Sequence, residues 1–329
     1  VIDFEALKEN IRTIINPLIK DFDSIALFDF PNYSNVGDSA IWLGTMDYLK
    51  ENACSSRIIW VSDKKSINER NLPVFDNSTV LIICGGGNFG DLWEDHQENR
   101  KKIISNYPDN RIIQFPQSIH FQRKSNLEST KNVITKHKDL HLLVRDLESF
   151  EVAKSFVGTK VYLCPDMAFY INKLPRLGEA KHDIIALMRT DKESAISEDY
   201  RKYQIPSFDW LSEPRTVAVR FDSFMRSYPS IMRRFPSINN VLQSFVFKRL
   251  AEERFKRGCQ LLVQGKVVIT DRLHAHIMCM LLGIPSIVLD NSYNKIKNIM
   301  SLWESSSEKT YQTDSFDEAV ELASKYLEK

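Results

Sequence analysis

The sequence predicts an α/β protein in which two doubly wound parallel-sheet domains face one another across a cleft. Three observations carry this. The chain has 329 residues, more than one ordinary core organises. Short unbroken apolar runs alternate with amphipathic segments, the pattern of parallel strands covered on both faces by helices. A polar joint with Pro and Gly, NKLPRLGEAKHD at 172–183, splits the alternation into two sets.

The first set opens with VIDFEALKENIRTII, an amphipathic helix carrying acids inside it and no apolar signal-peptide core; a start at Val leaves a trimmed leader open. Strands are expected at 24–30 (SIALFDF), 57–62 (RIIWVS), 79–84 (TVLIIC), 111–116 (RIIQFP), 140–146 (LHLLVRD) and 160–166 (KVYLCPD). Helices are expected at 38–52, 92–107, 126–138 and 147–156, where apolar residues recur at helical spacing. The second set runs DIIALMR (183–189), a long amphipathic helix at 241–263, KVVITD (266–271), a helix at 272–283 and PSIVLD (285–290), a strand–helix–strand unit of a second parallel sheet. The expected domains are 1–175 and 176–310. A last helix at 311–329, with no strand after it, is expected to pack back on the first domain. Two such domains face to face form the arrangement of GT-B glycosyltransferases. The stretch 190–240 is the least legible; its YPSIMRRFPSI (228–238) is basic and aromatic and fits a membrane surface, an anionic ligand or, as the plainer reading that we favour, a solvated loop with a few anchoring aromatics.

Composition excludes several classes. A net charge of +1 argues against a nucleic-acid groove built on bulk charge. No apolar run approaches the ~20 residues a membrane span needs. The five cysteines (54, 84, 164, 259, 279) form no C-x-x-C pair and read as reduced, buried thiols of a cytoplasmic protein, with no metal site.

Open α/β sheets bind ligands at the carboxyl ends of their strands, so the residues there are the candidates. After the first strand comes PNYSNVGD, with Asn35 and Asp38; after the third comes GGGNFGD, with Asn88 and Asp91. Both carry N-x-G-D just before a helix. One copy is an ordinary turn and cap; two at equivalent strand ends favour a shared cleft lining. GGGNFG also matches G-x-G-x-x-G, but the next strand ends in Gln114, Pro116 and Gln117, with no carboxylate for a ribose, so a dinucleotide site fails. Arg145 and Asp166 end two further strands. Arg145 either points into the crevice or pairs with Asp146 or Glu148 on the surface.

In TDRLHAHIMCMLLGIP (270–285) a cation, Arg272, stands at the start of an apolar helix, where the helix dipole favours anions. With Asp271 as N-cap, Arg272, Leu273 and His274 form the first turn, whose open amides bind anions and to which Arg adds a fork for phosphate or carboxylate. The plainer reading pairs Arg272 with Asp271 alone; we favour the anion site. His274 and His276 lie about 200° apart on a helix, so one ligand cannot engage both squarely. His274 can reach over the helix end, whereas His276 reads as a hydrogen-bonded core residue. Lys295, after the strand 285–290, is a further anion ligand or simply a helix-start lysine.

NVGD, CGGGNFGDLW, QFPQSI, VRDLES, CPDMAF, TDRLHA and LGIPSIVLDNSYNKIK, in this order and over both domains, resemble the polysaccharide pyruvyl transferase family. The resemblance implies a GT-B-like fold and transfer of a pyruvate unit from phosphoenolpyruvate to a hexose of a bacterial surface polysaccharide (exopolysaccharide or capsule), or of its lipid-linked precursor. A pyruvate ketal forms and phosphate leaves. It places phosphoenolpyruvate on Arg145, Arg272, Leu273, His274 and Lys295, with His274 as acid/base beside Arg272, and the acceptor on Asn35, Asp38, Asn88 and Asp91. Phosphoenolpyruvate is a co-substrate; no cofactor, metal or nucleic acid is implied. The expected location is the cytoplasm, with peripheral contact at the inner face of the membrane. The competing functions are a GT-B glycosyltransferase using a nucleotide sugar and a non-catalytic sugar-binding protein.

Overall fold

The computed structural model describes residues 3–53, 57–66, 72–176, 178–191, 200–227, 236–290, 295–303 and 310–328. Two separate parallel sheets, each flanked by helices, face a common cleft, as in GT-B folds.

The first sheet holds β1 (Ser24–Phe30), β2 (Arg57–Asp63), β3 (Thr79–Ile83), β4 (Gly86–Gly90), β5 (Ile112–His120), β6 (Leu140–Val144) and β7 (Lys160–Leu163). Its order is β2-β1-β3-β5-β6-β7, with β4 paired to the far end of β5. Period-two alternation sorts each strand onto two cores: Ile25 and Leu27 of β1 and Val80 and Ile82 of β3 join one apolar cluster, Ala26, Phe28, Leu81 and Ile83 the other. The accompanying helices are α1 (Phe4–Ile19), α2 (Val36–Asn52), α3 (Glu94–Asn106), α4 (Lys124–Ile134) and α5 (Leu147–Lys154).

The second sheet holds β8 (His182–Leu187), β9 (Ser207–Phe208), β10 (Gly265–Thr270), β11 (Ser286–Leu289) and β12 (Thr310–Thr313), in the order β12-β11-β10-β8-β9. With it go α6 (Val217–Ser227), α7 (Pro236–Leu262), α8 (Leu273–Leu282), α9 (Lys295–Trp303) and α10 (Phe316–Leu327). In both sheets the strand order reverses beside the first strand, at β1/β3 and at β8/β10. Such switch points open a crevice beyond the carboxyl ends of the strands.

Two expectations change. The C-terminal helix does not return to the first lobe. The short strand β12 extends the second sheet, and α10 then folds onto that sheet, burying Phe316, Ala319 and Ala323 against Ala186, Ile269, Ile287 and Leu289. The long helix α7 packs on the first lobe as well as on its own: Phe247 stacks on Phe30 with ring centroids 4.1 Å apart, and Asn240 accepts from the Val61 amide at 3.0 Å. The seam between the lobes is itself apolar. Leu273, Ile277 and Leu281 of α8 belong to the first lobe's core cluster, while Ala275, Met278, Cys279 and Leu282 of the same helix belong to the second's. Helix α8 is thus wedged between the lobes, and a residue at its N-terminus faces both crevices at once.

Candidate active site at the seam between the lobes

A cavity of about 860 Å³ opens where the two crevices meet. From the first lobe it is lined by Tyr33, Asn35, Asp38, Asn88, Asp91, His96 and Arg145, among others. From the second come Arg189, Asp191, Trp210, Arg272, Leu273 and His274. Of the candidate ligands whose side chains are described, only Asp166, which lies directly behind the wall, falls outside this lining. The side chain of Lys295 lies outside the described residues.

His274 stands in the first turn of α8, and the lobes close tightly around it. A Cβ added at Gly37, in the first turn of α2, would lie 2.7 Å from its Nδ1, so glycine there permits the approach. Its Nε2 lies 3.4 Å from Asp166 Oδ2 and 3.5 Å from Arg145 Nη1. Arg145 is 3% exposed; its Nε donates to Ser118 Oγ at 2.9 Å and its Nη1 to Asp166. The Arg145 of the sequence reading is therefore turned inward and paired with Asp166, not with Asp146 or Glu148. Burial alone would push the Asp166 carboxyl up, but His274 and Arg145 outweigh it and hold the group well below the usual carboxylate range. One carboxylate thus faces an arginine of its own lobe and a histidine of the other.

The opposite wall corrects a detail of the helix start. Arg272, not Asp271, is the N-cap residue of α8, in extended conformation with φ −107° and ψ 114°. Asp271 has turned to the neighbouring strand end, where its Oδ1 accepts from the Arg189 amide at 2.8 Å and its Oδ2 has no hydrogen-bond partner. Burial pushes this carboxyl up to about 6, against the opposing pull of that bond and of Arg272. The Arg272 side chain, 2% exposed, donates to Asp209 at 2.6 Å, lies 3.5 Å from Asp191 and sits over the Trp210 ring at 5.5 Å. Its Nε has no partner. Arg189 forks onto Asp191 at 2.8 and 3.1 Å. The expected cationic pocket therefore contains arginines that are each matched by a carboxylate. Guanidinium groups buried this deeply need counterions to fold.

The N-x-G-D loops behave differently from one another. In the first, Asn35 accepts from the Gly37 amide at 3.0 Å and donates to Asp38 at 2.7 Å, and Tyr33 donates to the same Asp38 oxygen at 2.9 Å. That polar cluster faces the cavity. In the second, the Asp91 carboxylate is spent on the amides of Gln122 and Arg123, at 2.8 and 2.7 Å, and its side chain is 3% exposed. It tethers a loop. Asn88 is likewise held: its Oδ1 accepts from Arg100 and Gln117, each at 2.7 Å. The glycine run between them is strand β4, whose Gly90, at φ 138°, passes so close to β5 that a Cβ would meet the His120 carbonyl at 1.7 Å. Those glycines serve strand pairing, not a phosphate loop.

Sequence reading passed over a second buried carboxylate–imidazole pair. His96 Nδ1 lies 3.1 Å from Asp29 Oδ1, and the ring lines the cavity with Tyr33 edge-on at 5.7 Å. Asp29 adopts φ 63°, a left-handed conformation rare for a non-glycine residue, at the irregularity near the end of β1. A carboxylate inside the otherwise apolar run SIALFDF was the available signal. Asp191, Asp209 and Trp210 carried none, since they sit in the region that shows no clear periodicity; Arg189, at the end of the expected strand 183–189, had the strand-end position that singled out Arg145. His276 is fully buried, with Nδ1 2.9 Å from Ser286 Oγ, the core residue that its helical position implied.

With this geometry in hand, comparison with known proteins gives consistent results. The family model described as polysaccharide pyruvyl transferase matches residues 35–293. The Bacillus subtilis protein named "Putative pyruvyl transferase EpsO" is 30% identical over 91% of this chain and 90% of its own length. Pyruvyl transferase 1 of Schizosaccharomyces pombe is 31% identical over 85% of this chain and 69% of its own. A solved structure of a functionally uncharacterised Klebsiella pneumoniae protein shares the fold at TM-score 0.59 and 20% identity, covering 94% of this chain and 99% of that one. The family match spans both lobes and all of the cavity lining except Tyr33 and Ser34, and so the chain belongs to the polysaccharide pyruvyl transferase family.

Proposed function

We propose that this chain transfers a pyruvate unit from phosphoenolpyruvate to a hexose of a surface polysaccharide or its lipid-linked precursor, forming a ketal and releasing phosphate. The observation that carries the reading is the inter-lobe constellation of His274, Asp166 and Arg145, with Arg272 in the same cavity. Phosphoenolpyruvate bears a carboxylate and a phosphate. Arg145, Arg272 and the open amides of Leu273 and His274 are suited to them, the arginines exchanging part of their pairing with Asp166 and Asp209 for the substrate. Lys295 is proposed as a further phosphate ligand from its place in the sequence.

Protonated His274 donates to the methylene carbon, giving a methyl group and an oxocarbenium-like C2. Asp166 beside Nε2 stabilises the imidazolium that this requires. A sugar hydroxyl adds to C2, the C2–O bond to phosphate breaks, and a neighbouring hydroxyl closes the ketal. Of the two hydroxyl protons released, one replaces that spent on carbon and the other leaves with phosphate. Asn35, Asp38 and Asn88 form the acceptor side, and His96, held by Asp29, is the group there able to take a hydroxyl proton.

The test incubates the protein with phosphoenolpyruvate and a panel of galactosides, glucosides and mannosides, following phosphate and product mass. Phosphate release with a gain of one pyruvate ketal supports the reading. Nucleotide release from a sugar nucleotide, with none of phosphate, would mark a glycosyltransferase instead, and binding of sugars without turnover a non-catalytic protein.

A further inference from the structure

Nine large apolar side chains are exposed among the described residues, and five lie on two helices packed side by side: Val217, Phe221 and Phe224 of α6 and Val241 and Phe245 of α7. Every exposed phenylalanine of that set is on this pair. Spacings of four and three put the α6 residues on one stripe, where the rings of Phe221 and Phe224 stack with centroids 6.4 Å apart. The reverse side of α6, with Ala218 and Met225, packs on the core, as do Leu242, Val246 and Phe247 of α7. Thr216 donates to Glu253 at one end, and Arg226 and Asn240 both reach β2 at the other, which lays the helices antiparallel. Scattered exposed apolar residues need no explanation, but grouped aromatic ones do.

The charges around this stripe are mostly positive. Arg215, Arg220, Lys248 and Arg249 are exposed. Among the acids of the two helices, Asp222 is held by Arg226 and Asn32, Glu253 takes Thr216, and Glu252 lies beside Lys248 and Arg249. Aromatic side chains at the centre and flexible cations at the rim match the interface of a bilayer carrying anionic headgroups. We propose that the α6–α7 face docks this protein on an anionic membrane surface. The face adjoins the first-lobe wall of the cavity, because Asp222 accepts from Asn32, the neighbour of the cavity residue Tyr33. Docked there, the mouth of the cavity lies near the headgroups, where a saccharide carried on a lipid would be presented. That last link rests on the acceptor proposed above; the membrane contact does not.

The test is co-sedimentation of the full chain with vesicles of phosphatidylcholine alone, and with vesicles in which phosphatidylglycerol replaces about a third of the lipid. Binding is expected to favour the anionic vesicles by about tenfold or more. Combined Phe221→Ser, Phe224→Ser and Phe245→Ser should weaken it by roughly a hundredfold while leaving circular dichroism and turnover of a short soluble acceptor unchanged. Arg220→Ser with Lys248→Ser should reduce only the preference for anionic lipid. Absence of binding by the unaltered chain, or equal binding by the triple-serine variant, overturns the proposal. So does a dimer seen by light scattering that the triple variant abolishes, since a second copy would then cover the face. Failure to release phosphate with any acceptor would sink the proposed reaction and leave the vesicle result standing.

Discussion

The two walls of the cleft use opposite electrostatic designs. The wall from the second lobe is built on buried charge: Arg189 and Arg272 lie against Asp191 and Asp209, and Asp271 is behind them. The wall from the first lobe is largely a network of polar hydrogen-bonding groups (Tyr33, Asn35, Asp38, Asn88 and His96), with Arg145 and Lys64 as its cations. Two buried aspartates cut across that division, the ionised one belonging to the first lobe. Asp166, after β7, is held ionised by His274 and Arg145, whereas Asp271, after β10, is pushed up to about 6 by burial. Preformed charge suits an anionic donor, and directional hydrogen bonds suit sugar hydroxyls, so the division of the walls matches a division of substrates. His274 is the residue on which the two designs meet.

If that residue is the acid/base, His274→Ala should lower kcat by about 10²- to 10⁴-fold, with a small change in the KM for phosphoenolpyruvate. Steady-state kinetics decide it; a loss confined to KM would make His274 a mere ligand. Arg272→Ala should act the other way, raising the KM for phosphoenolpyruvate by about a hundredfold or more. It also strips Asp209 of its buried counterion, so thermal unfolding must be measured alongside, and Arg272→Lys should restore charge but not the fork. A loss of acceptor affinity instead would break the assignment of charge to the donor.

Asp271 tests whether the second-lobe wall stores electrostatic strain. An aspartate in the unfolded chain titrates near 4, and in the fold this one titrates at about 6. Between those values the folded state holds more proton than the unfolded, so stability falls as pH rises through the window and then levels off. Asp271→Asn keeps an oxygen for the Arg189 amide and removes the buried negative charge. It should stabilise the protein above pH 6 by on the order of 2 kcal/mol, the gain disappearing below about pH 4. Urea midpoints at the two extremes measure it. Destabilisation at high pH would mean that the carboxylate is needed as a counterion for the arginines.

Gly37→Ala examines the contact between the walls. The added methyl would lie 2.7 Å from His274 Nδ1, so the imidazole must move away from Asp166. We expect kcat to fall about tenfold with donor affinity nearly kept, because misplacement of a reacting group is felt in turnover first. Unchanged turnover would show that the histidine has room to spare.

Much of this was legible in the sequence. The strands of both sheets carry unbroken Ile, Val and Leu runs that only a doubly covered parallel sheet accommodates, so the fold class followed from SIALFDF, TVLIIC and KVVITD. What stayed hidden was short or long-range. Strands β9 and β12 are too short for periodicity, and missing β12 sent α10 to the wrong lobe. Arg272 and His274 stood out because an apolar helix opening on a cation conflicts with its dipole. Their partners Asp209 and Asp166 lie 63 and 108 residues away, a pairing that no local pattern encodes. Asp29 could have been noticed, as a charge within an apolar strand, yet the positive φ that accompanies it is a property of the folded chain.

The twin N-x-G-D loops show where motif reading ends. They precede helices after neighbouring strands, and from sequence the two were equivalent. Asp38 is held by Tyr33 and Asn35 at the cavity, while Asp91 is consumed by two backbone amides of the loop after β5. Asp91→Ala should therefore cost about 1–2 kcal/mol of stability, through amides left without an acceptor, and leave the KM for the acceptor within about twofold. Asp38→Ala should raise that KM by about tenfold at little cost to stability, because its partners can turn to water in the open cavity. The pair of measurements, denaturation midpoint and acceptor KM, separates the roles. An equal rise in KM for both variants would mean that the second loop also grips the sugar, and the first-lobe wall would then extend across both switch-point loops.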